Sequence, residues 1–288
     1  MSRHEATGRS AAQLIPESPT LDGLREAASG CQACHLWQRG TRTVFGDGAA
    51  RAQLMFVGEQ PGDREDIEGE PFVGPAGREL DRALEEVGID RANIYITNAV
   101  KHFKWKQKGR RRIHETPNAE EIAACRPWLD AEMAVVRPQV IVCLGATAAK
   151  VLLGSAFRVT RQRGELHAGP NGSIVTATIH PSAILRAPSD EERQAGREAF
   201  VADLDKVAEV LRARGGDRRS PGGGQEDQRG DRRSPRGQEQ VEAFVAGLLY
   251  ETKADLYDRA QQLDLPGRSS MTKRELAEAV ARAMVEDR

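Results

Sequence analysis

Short apolar runs of strand length alternate along this chain with stretches whose apolar positions recur every three or four residues. The run Gln53-Leu-Met-Phe-Val57 ends in Gly58-Glu-Gln-Pro-Gly62, the pattern of a buried strand emptying into a tight loop. Leu80, Leu84 and Val87 then share one face of a helix expected over residues 75–87, with Gly88 as its stop. Residues 94–97 predict a second strand. Asn118 can cap a helix reaching about residue 136, with Glu120 and Glu121 in its first turn, where the helix dipole favours negative charge. Pro138 resets the chain into a third strand, residues 140–144, and residues 146–153 are helical. A fourth strand over residues 173–179 runs into His180-Pro-Ser182, and a helix over residues 190–212 follows.

Strands alternating with helices predict an α/β fold. The expected form is a three-layer α/β/α sandwich around a mostly parallel four-stranded sheet, with active groups on loops at the carboxyl ends of the strands. The segments carrying Glu59, Asn98 and His180 all fall there. Outside this core, residues 1–20 are polar with scattered Pro and are expected to be disordered, and the main domain is expected over residues 21–214, opening with a short helix at 21–28. Residues 215–238 turn to Gly, Arg, Ser, Pro and Asp, and Gly-Asp-Arg-Arg-Ser-Pro occurs twice, at 216 and 230, as in a flexible linker. Residues 239–288 are expected to form a small helical module, with amphipathic helices over 253–263 and 272–280.

Charge changes this picture at one place. The chain has a net charge of -1, so any basic surface is local, yet the segment 101–114, KHFKWKQKGRRRIH, carries seven Lys or Arg and no acidic residue. Such a run is commonly a solvated tail. Here a strand precedes it and a helix follows it, and loops anchored at both ends carry function more often than tails do. Its cations, Lys104, Lys106, Lys108, Arg110, Arg111 and Arg112, suit phosphates, and its aromatics suit bases, so single-stranded nucleic acid is the expected ligand. No apolar run approaches the ~18 residues of a membrane span, and the N-terminus lacks a signal-peptide core. A soluble cytoplasmic protein with no membrane partner is expected.

Of the four cysteines, Cys31 and Cys34 form a C-x-x-C pair, which in such a chain points to metal or redox chemistry before a disulfide. Cys143 lies in the apolar run 140–144 and reads as a core thiol, although a set of Cys31, Cys34, Cys125 and Cys143 holding zinc or iron is an open alternative.

Gly58-Glu-Gln-Pro-Gly62, Phe72 in Glu70-Pro-Phe-Val-Gly-Pro75, Asn98, and Arg111-Arg-Ile-His114 together resemble the uracil-DNA glycosylase superfamily. The likeness is to its iron-sulfur family 4 and that family's UdgX-type, covalently trapping branch, and covers roughly residues 31–211. Gln60 replaces the Ala usual in family 4, and the basic insert ending in His114 is similar to the branch's signature. The resemblance implies that Asn98 reads the uracil edge, Phe72 stacks on the base, Gln60 helps bind substrate and His180 donates to O2. It also implies that Glu59 orients His114, which attacks C1′ in place of water. A 4Fe-4S cluster is implied on Cys31, Cys34, His102 and Cys125, since His102 stands where the family has its third cysteine and histidine also ligates Rieske iron. The implied partner is uracil-containing DNA, single-stranded preferred, bound by a monomer. The C-terminal helices resemble SAP-like or Rho-N-terminal-like DNA-binding modules. Three other readings stay open: a multiple-turnover glycosylase, a non-catalytic iron-sulfur DNA-binding protein, and a phosphate-ester enzyme using Glu59 and Asp63 with a divalent metal.

Overall fold

The computed structural model describes residues 10–215, 245, 253–263 and 265–286. Two compact units result: residues 1–164 with 169–209, and residues 165–168 with 210–288.

In the first unit the strands are β1 (Asp47–Gly48), β2 (Leu54–Gly58), β3 (Ile94–Asn98), β4 (Trp105–Lys108), β5 (Arg111–His114), β6 (Val140–Leu144) and β8 (Ile174–Thr178), while β7 (His167–Ala168) falls in the second unit. The central sheet of the first unit runs β1-β3-β2-β6-β8. β2 pairs in parallel with β3 and β6, β6 pairs in parallel with β8, and only the two-residue β1 is antiparallel. Every residue of β2, β3, β6 and β8 is buried, which is why these strands read as unbroken apolar runs rather than as alternation.

Helices cover both faces of this sheet. Met55, Val57, Tyr95, Ile141, Cys143, Val175 and Ala177 project to the face covered by α4 (Ala119–Val136) and α5 (Ala146–Leu153). On the other face Thr178 donates a 2.6 Å hydrogen bond to Asp203 of α8 (Asp190–Gly215). The α/β expectation therefore holds, with one added antiparallel edge strand. Asn118 caps α4 through a full capping box with Glu121, so the sequence signal at that boundary was sound.

Two expectations are corrected. Residues 10–20 are ordered: Ser10 caps a 3₁₀ turn, Ala11–Leu14, and Ala11 is fully buried. Next, the basic segment is a β-hairpin rather than a loop, with β4 and β5 paired antiparallel from Trp105↔His114 to Lys108↔Arg111. Its two-residue turn uses Gly109 at φ 61°, a conformation that costs glycine nothing. Three short helices were also not foreseen: α2 (Asp63–Glu68), α6 (Val159–Gln162) and α7 (Pro181–Leu185). In the second unit α9 (Lys253–Gln262) and α10 (Lys273–Glu286) share an apolar cluster of Leu256, Ala260, Leu276, Ala277, Val280 and Ala281. The repeated Gly-Asp-Arg-Arg-Ser-Pro linker lies outside the described residues.

Candidate active site

The carboxyl ends of β2, β3, β6 and β8 bring the predicted side chains to one rim. Gly58 ends β2 beside Asn98, which ends β3. Asn98 is almost fully buried, and its Oδ1 has no hydrogen-bond partner. A buried acceptor left open costs free energy unless a ligand completes it, so this atom marks where a donor belongs. Phe72 lies next to it in a left-handed conformation, φ 59°, that bulky residues rarely adopt. The turn is possible because Gly77 has no Cβ, which would collide with the Phe72 carbonyl oxygen.

His180 stacks on Phe72, with ring centroids 5.9 Å apart and planes 30° apart. Its Nδ1 accepts the Ser182 backbone N–H at 3.1 Å, so in the neutral ring the proton sits on Nε2. Burial lowers the His180 pKa to about 4 against the opposing pull of the Glu59 carboxylate, which keeps the ring neutral near pH ~7. Ser182 thus fixes the tautomer of its neighbour. The motif His180-Pro-Ser182 displayed this, but its role needed the turn geometry.

Glu59 follows Gly58 and touches His114. His114 Nε2 stands 3.2 Å from Glu59 Oε1, and the Thr147 hydroxyl donates to Glu59 Oε2. Burial pushes the Glu59 carboxyl up, but the hydrogen bonds from His114 and Thr147 outweigh it and hold the carboxyl below its usual range. His114 itself is half-exposed at the mouth of the site.

The other predicted residues separate into groups. Gln60 does not offer its amide to a substrate: its Nε2 donates to the Lys104 and Glu115 carbonyls and its Oε1 accepts from Lys104 N, each at 3.1 Å, so it clasps both stems of the hairpin. Arg112, expected as a phosphate contact, is turned inward onto Asp63 at 2.5 Å and the buried Asp66 at 2.6 Å. Lys104 pairs with Glu121 at 3.0 Å, and Lys106 with Glu115 at 3.3 Å. Lys108, Arg110 and Arg111 are exposed at the tip. With Asp63 on Arg112 and Glu59 on His114 and Thr147, the two carboxylates named for a divalent metal are each engaged by other partners. The inward pairs of Arg112 and the clasp of Gln60 had no sequence signal, because both depend on which faces the hairpin and α2 present to each other.

Cys31, Cys34 and Cys125 belong to one apolar cluster with Leu36 and Trp128, whereas Cys143 packs in the separate core under α4 and α5. N–H groups point at the three sulfurs: Trp128 Nε1 to Cys31 at 3.3 Å, Lys101 N to Cys125 at 3.2 Å, and the Leu36 backbone to Cys34. Donors aimed at sulfur suit thiolates that ligate a soft metal, so the chemistry of this set fits. Burial raises Cys34, and it raises Cys125 to about 12, so both stay protonated thiols without a bound cation. His102 is buried, but its Nε2 meets the Thr43 hydroxyl at 3.0 Å. Among the described residues no group of three or more His, Cys, Asp or Glu is arranged to hold a single metal ion, an arrangement that a cluster with one iron per ligand does not require.

The absent Cβ of Gly58 leads to a prediction. A methyl there would overlap Asn98 Oδ1 and lie 2.9 Å from Phe72 Cζ. Gly58→Ala is expected to displace both groups and reduce base excision by roughly 10²-fold, while its far-ultraviolet circular dichroism stays that of the wild type. Excision within threefold of wild type would show that the two groups do not need this close approach.

Residues 45–205 match the uracil DNA glycosylase superfamily. The chain is similar to a type-4 uracil-DNA glycosylase of Thermotoga maritima, 38% identical over 196 residues that make up 68% of this chain and 96% of the relative. It is similar also to the type-4 enzyme of Sulfurisphaera tokodaii, 37% identical over 199 residues, 66% of this chain and 84% of the relative. A type-5 uracil-DNA glycosylase of Pyrobaculum aerophilum is 29% identical over 186 residues, 58% of this chain and 77% of the relative. With the open Asn98 acceptor, the neutral His180 and these relatives together, the chain belongs to the uracil-DNA glycosylase superfamily and, within it, to the type-4 family of enzymes.

Proposed function

We propose that this chain cleaves the N-glycosidic bond of deoxyuridine in DNA, with single strands preferred, and remains covalently joined to the deoxyribose through His114. The observation that carries this reading is the contact between His114 Nε2 and Glu59 Oε1 at the mouth of the site. It commits one ring nitrogen to a carboxylate and leaves the lone pair on the other.

Once a uracil nucleotide is extruded, Phe72 stacks on the base, and Asn98 accepts from N3–H and donates to O4. Cytosine presents the opposite donor and acceptor pattern and would leave buried polar groups unmatched. The C1′–N1 bond breaks with its electron pair going to the base, and His180 Nε2–H donates to O2 as negative charge gathers there. The lone pair on His114 Nδ1 then bonds to C1′. The ring becomes cationic, and its Nε2 proton is held by, or passes to, the Glu59 carboxylate. Hydrolysis would need a second water with access to C1′, a place the ring occupies.

Extrusion costs least when the base is already unpaired, which favours single strands. Lys108, Arg110 and Arg111 at the hairpin tip, with Lys106 beside them, supply phosphate contacts, and the helices α9 and α10 would raise the local concentration on the strand if they bind DNA. Cys31, Cys34, Cys125 and His102 would hold a 4Fe-4S cluster. Bound there, the cluster would tie the chain around residues 31–34 to the segment that follows β3. Visible cluster absorbance is expected to be lost in Cys125→Ser and in His102→Ala but kept in Cys143→Ser; the reverse pattern would move the fourth ligand to Cys143.

The test is the intact mass of the protein after incubation with a uracil-containing single-stranded oligonucleotide. The expected product is protein plus oligonucleotide minus uracil, stable to heat and denaturant. Free uracil with unmodified protein would make the chain a multiple-turnover glycosylase. Neither product would leave a non-catalytic DNA-binding protein.

A further inference from the structure

Glu59 reaches His114 with one carboxylate oxygen, and its other oxygen is held from α5. The Thr147 hydroxyl donates to Oε2 while Oε1 meets His114 Nε2 at 3.2 Å. Thr147 sits in the first turn of α5, whose Ala148 and Ala149 are fully buried in the core, so the hydroxyl is carried by a rigid element. The His114 side of the contact comes from a hairpin and is half-exposed. A carboxylate between a donor on a buried helix and a half-exposed ring takes its orientation from the helix.

We propose that Thr147 is a positioning residue for this reaction, orienting the Glu59 carboxylate so that Oε1 is presented to His114. The inference rests on the reading of His114 as nucleophile, and it adds a third member to the His114–Glu59 pair. A hydroxyl donating to a carboxylate favours the charged form, and the charged form is what accepts the imidazole proton. The charged or titratable groups facing Glu59 are His114 from the hairpin and His180 after β8, and His180 in turn faces Arg186. None of them replaces the bond from α5.

The test compares Thr147→Val, which keeps the shape and removes the hydroxyl, with Thr147→Ser, which keeps the hydroxyl. In Thr147→Val adduct formation is expected to slow about tenfold. The acid limb of its pH profile is expected to move to higher pH, because the carboxylate has lost a donor and protonates sooner. Thr147→Ser is expected to stay within twofold of wild type in rate and to keep the wild-type acid limb. The ¹³C signal of the Glu59 carboxyl, identified by its loss in Glu59→Gln, is followed in parallel without DNA, and its midpoint should rise in the Val variant only. If wild type releases uracil without an adduct, the nucleophile reading fails, while the carboxyl titration still reports on Thr147. If the Val variant matches wild type in both the acid limb and the carboxyl midpoint, the positioning role is overturned whether or not an adduct forms.

Discussion

His114→Ala is expected to abolish the heat-stable protein–DNA adduct completely while leaving uracil excision measurable. On the proposed mechanism the groups that loosen the base do not include His114. Phe72 and His180 remain stacked at 5.9 Å, and the Asn98 acceptor remains open. Departure of the base with its electron pair can therefore proceed, and only the capture of the sugar changes. Removing the imidazole opens space next to Glu59, whose carboxylate still accepts from the Thr147 hydroxyl, and a water there has a general base within reach. Such a base contributes roughly 10²–10⁴-fold, so the variant should release uracil and turn over. On the proposed mechanism a tethered ring nitrogen beside C1′ outcompetes any water in the wild type, because intramolecular reactants reach effective concentrations of about 10⁵ M and above. Two measurements decide the matter, the adduct on a denaturing gel and free uracil over many turnovers. An adduct that persists in His114→Ala would give the nucleophile to another residue. Loss of both products would make His114 part of base departure itself.

The parts of this site that could be read from the sequence are those whose meaning is local. Gly58-Glu-Gln-Pro-Gly62 follows an apolar strand, and a residue after a parallel strand faces the rim whatever else the fold does. The same holds for Asn98 and His180. What could not be read are contacts set by tertiary placement. The segment 101–114 was recognised as basic and anchored, but its split into an inward Arg112 and an outward tip at Lys108, Arg110 and Arg111 depends on the hairpin register, Trp105↔His114 to Lys108↔Arg111. Gln60 stands where the family resembled has Ala. Its work is to hold the Lys104 and Glu115 carbonyls, so the residue and the hairpin belong together. Thr147 gave no signal, since one hydroxyl in the first turn of a helix is unremarkable until Glu59 is known to lie against it.

The largest loss of stability is expected from Lys101→Met. Lys101 stands at the start of the basic segment, yet its side chain is completely buried. Its Nζ donates to Glu132 at 2.5 Å, to the Thr97 hydroxyl at 2.6 Å and to the Asn98 carbonyl at 2.8 Å. Glu132 in turn accepts from Gly46 N at 3.1 Å and from the Tyr95 hydroxyl at 3.0 Å. Burial, with the Glu132 charge, drives the Tyr95 phenol far above its usual range, so it serves only as a donor. Removing the ammonium leaves a carboxylate buried without its cation, which costs about 3–5 kcal/mol, a large share of the roughly 5–15 kcal/mol that holds a domain folded. The urea midpoint of Lys101→Met should fall accordingly, and a loss under about 1 kcal/mol would show that the hydroxyl and amide donors alone satisfy Glu132. Lys101→Met combined with Glu132→Gln is expected to recover more than half of the loss, because the amide oxygen still accepts from Gly46 and Tyr95 and no charge is left unpaired. Activity should not recover in step. The Lys101 side chain holds the carbonyl of Asn98 while its own N–H is aimed at Cys125 Sγ, so one residue ties the strand end that carries Asn98 to the thiol cluster. A refolded double variant with a slack Asn98 would be stable and slow, and full excision by that variant would mean that Asn98 needs no support from below.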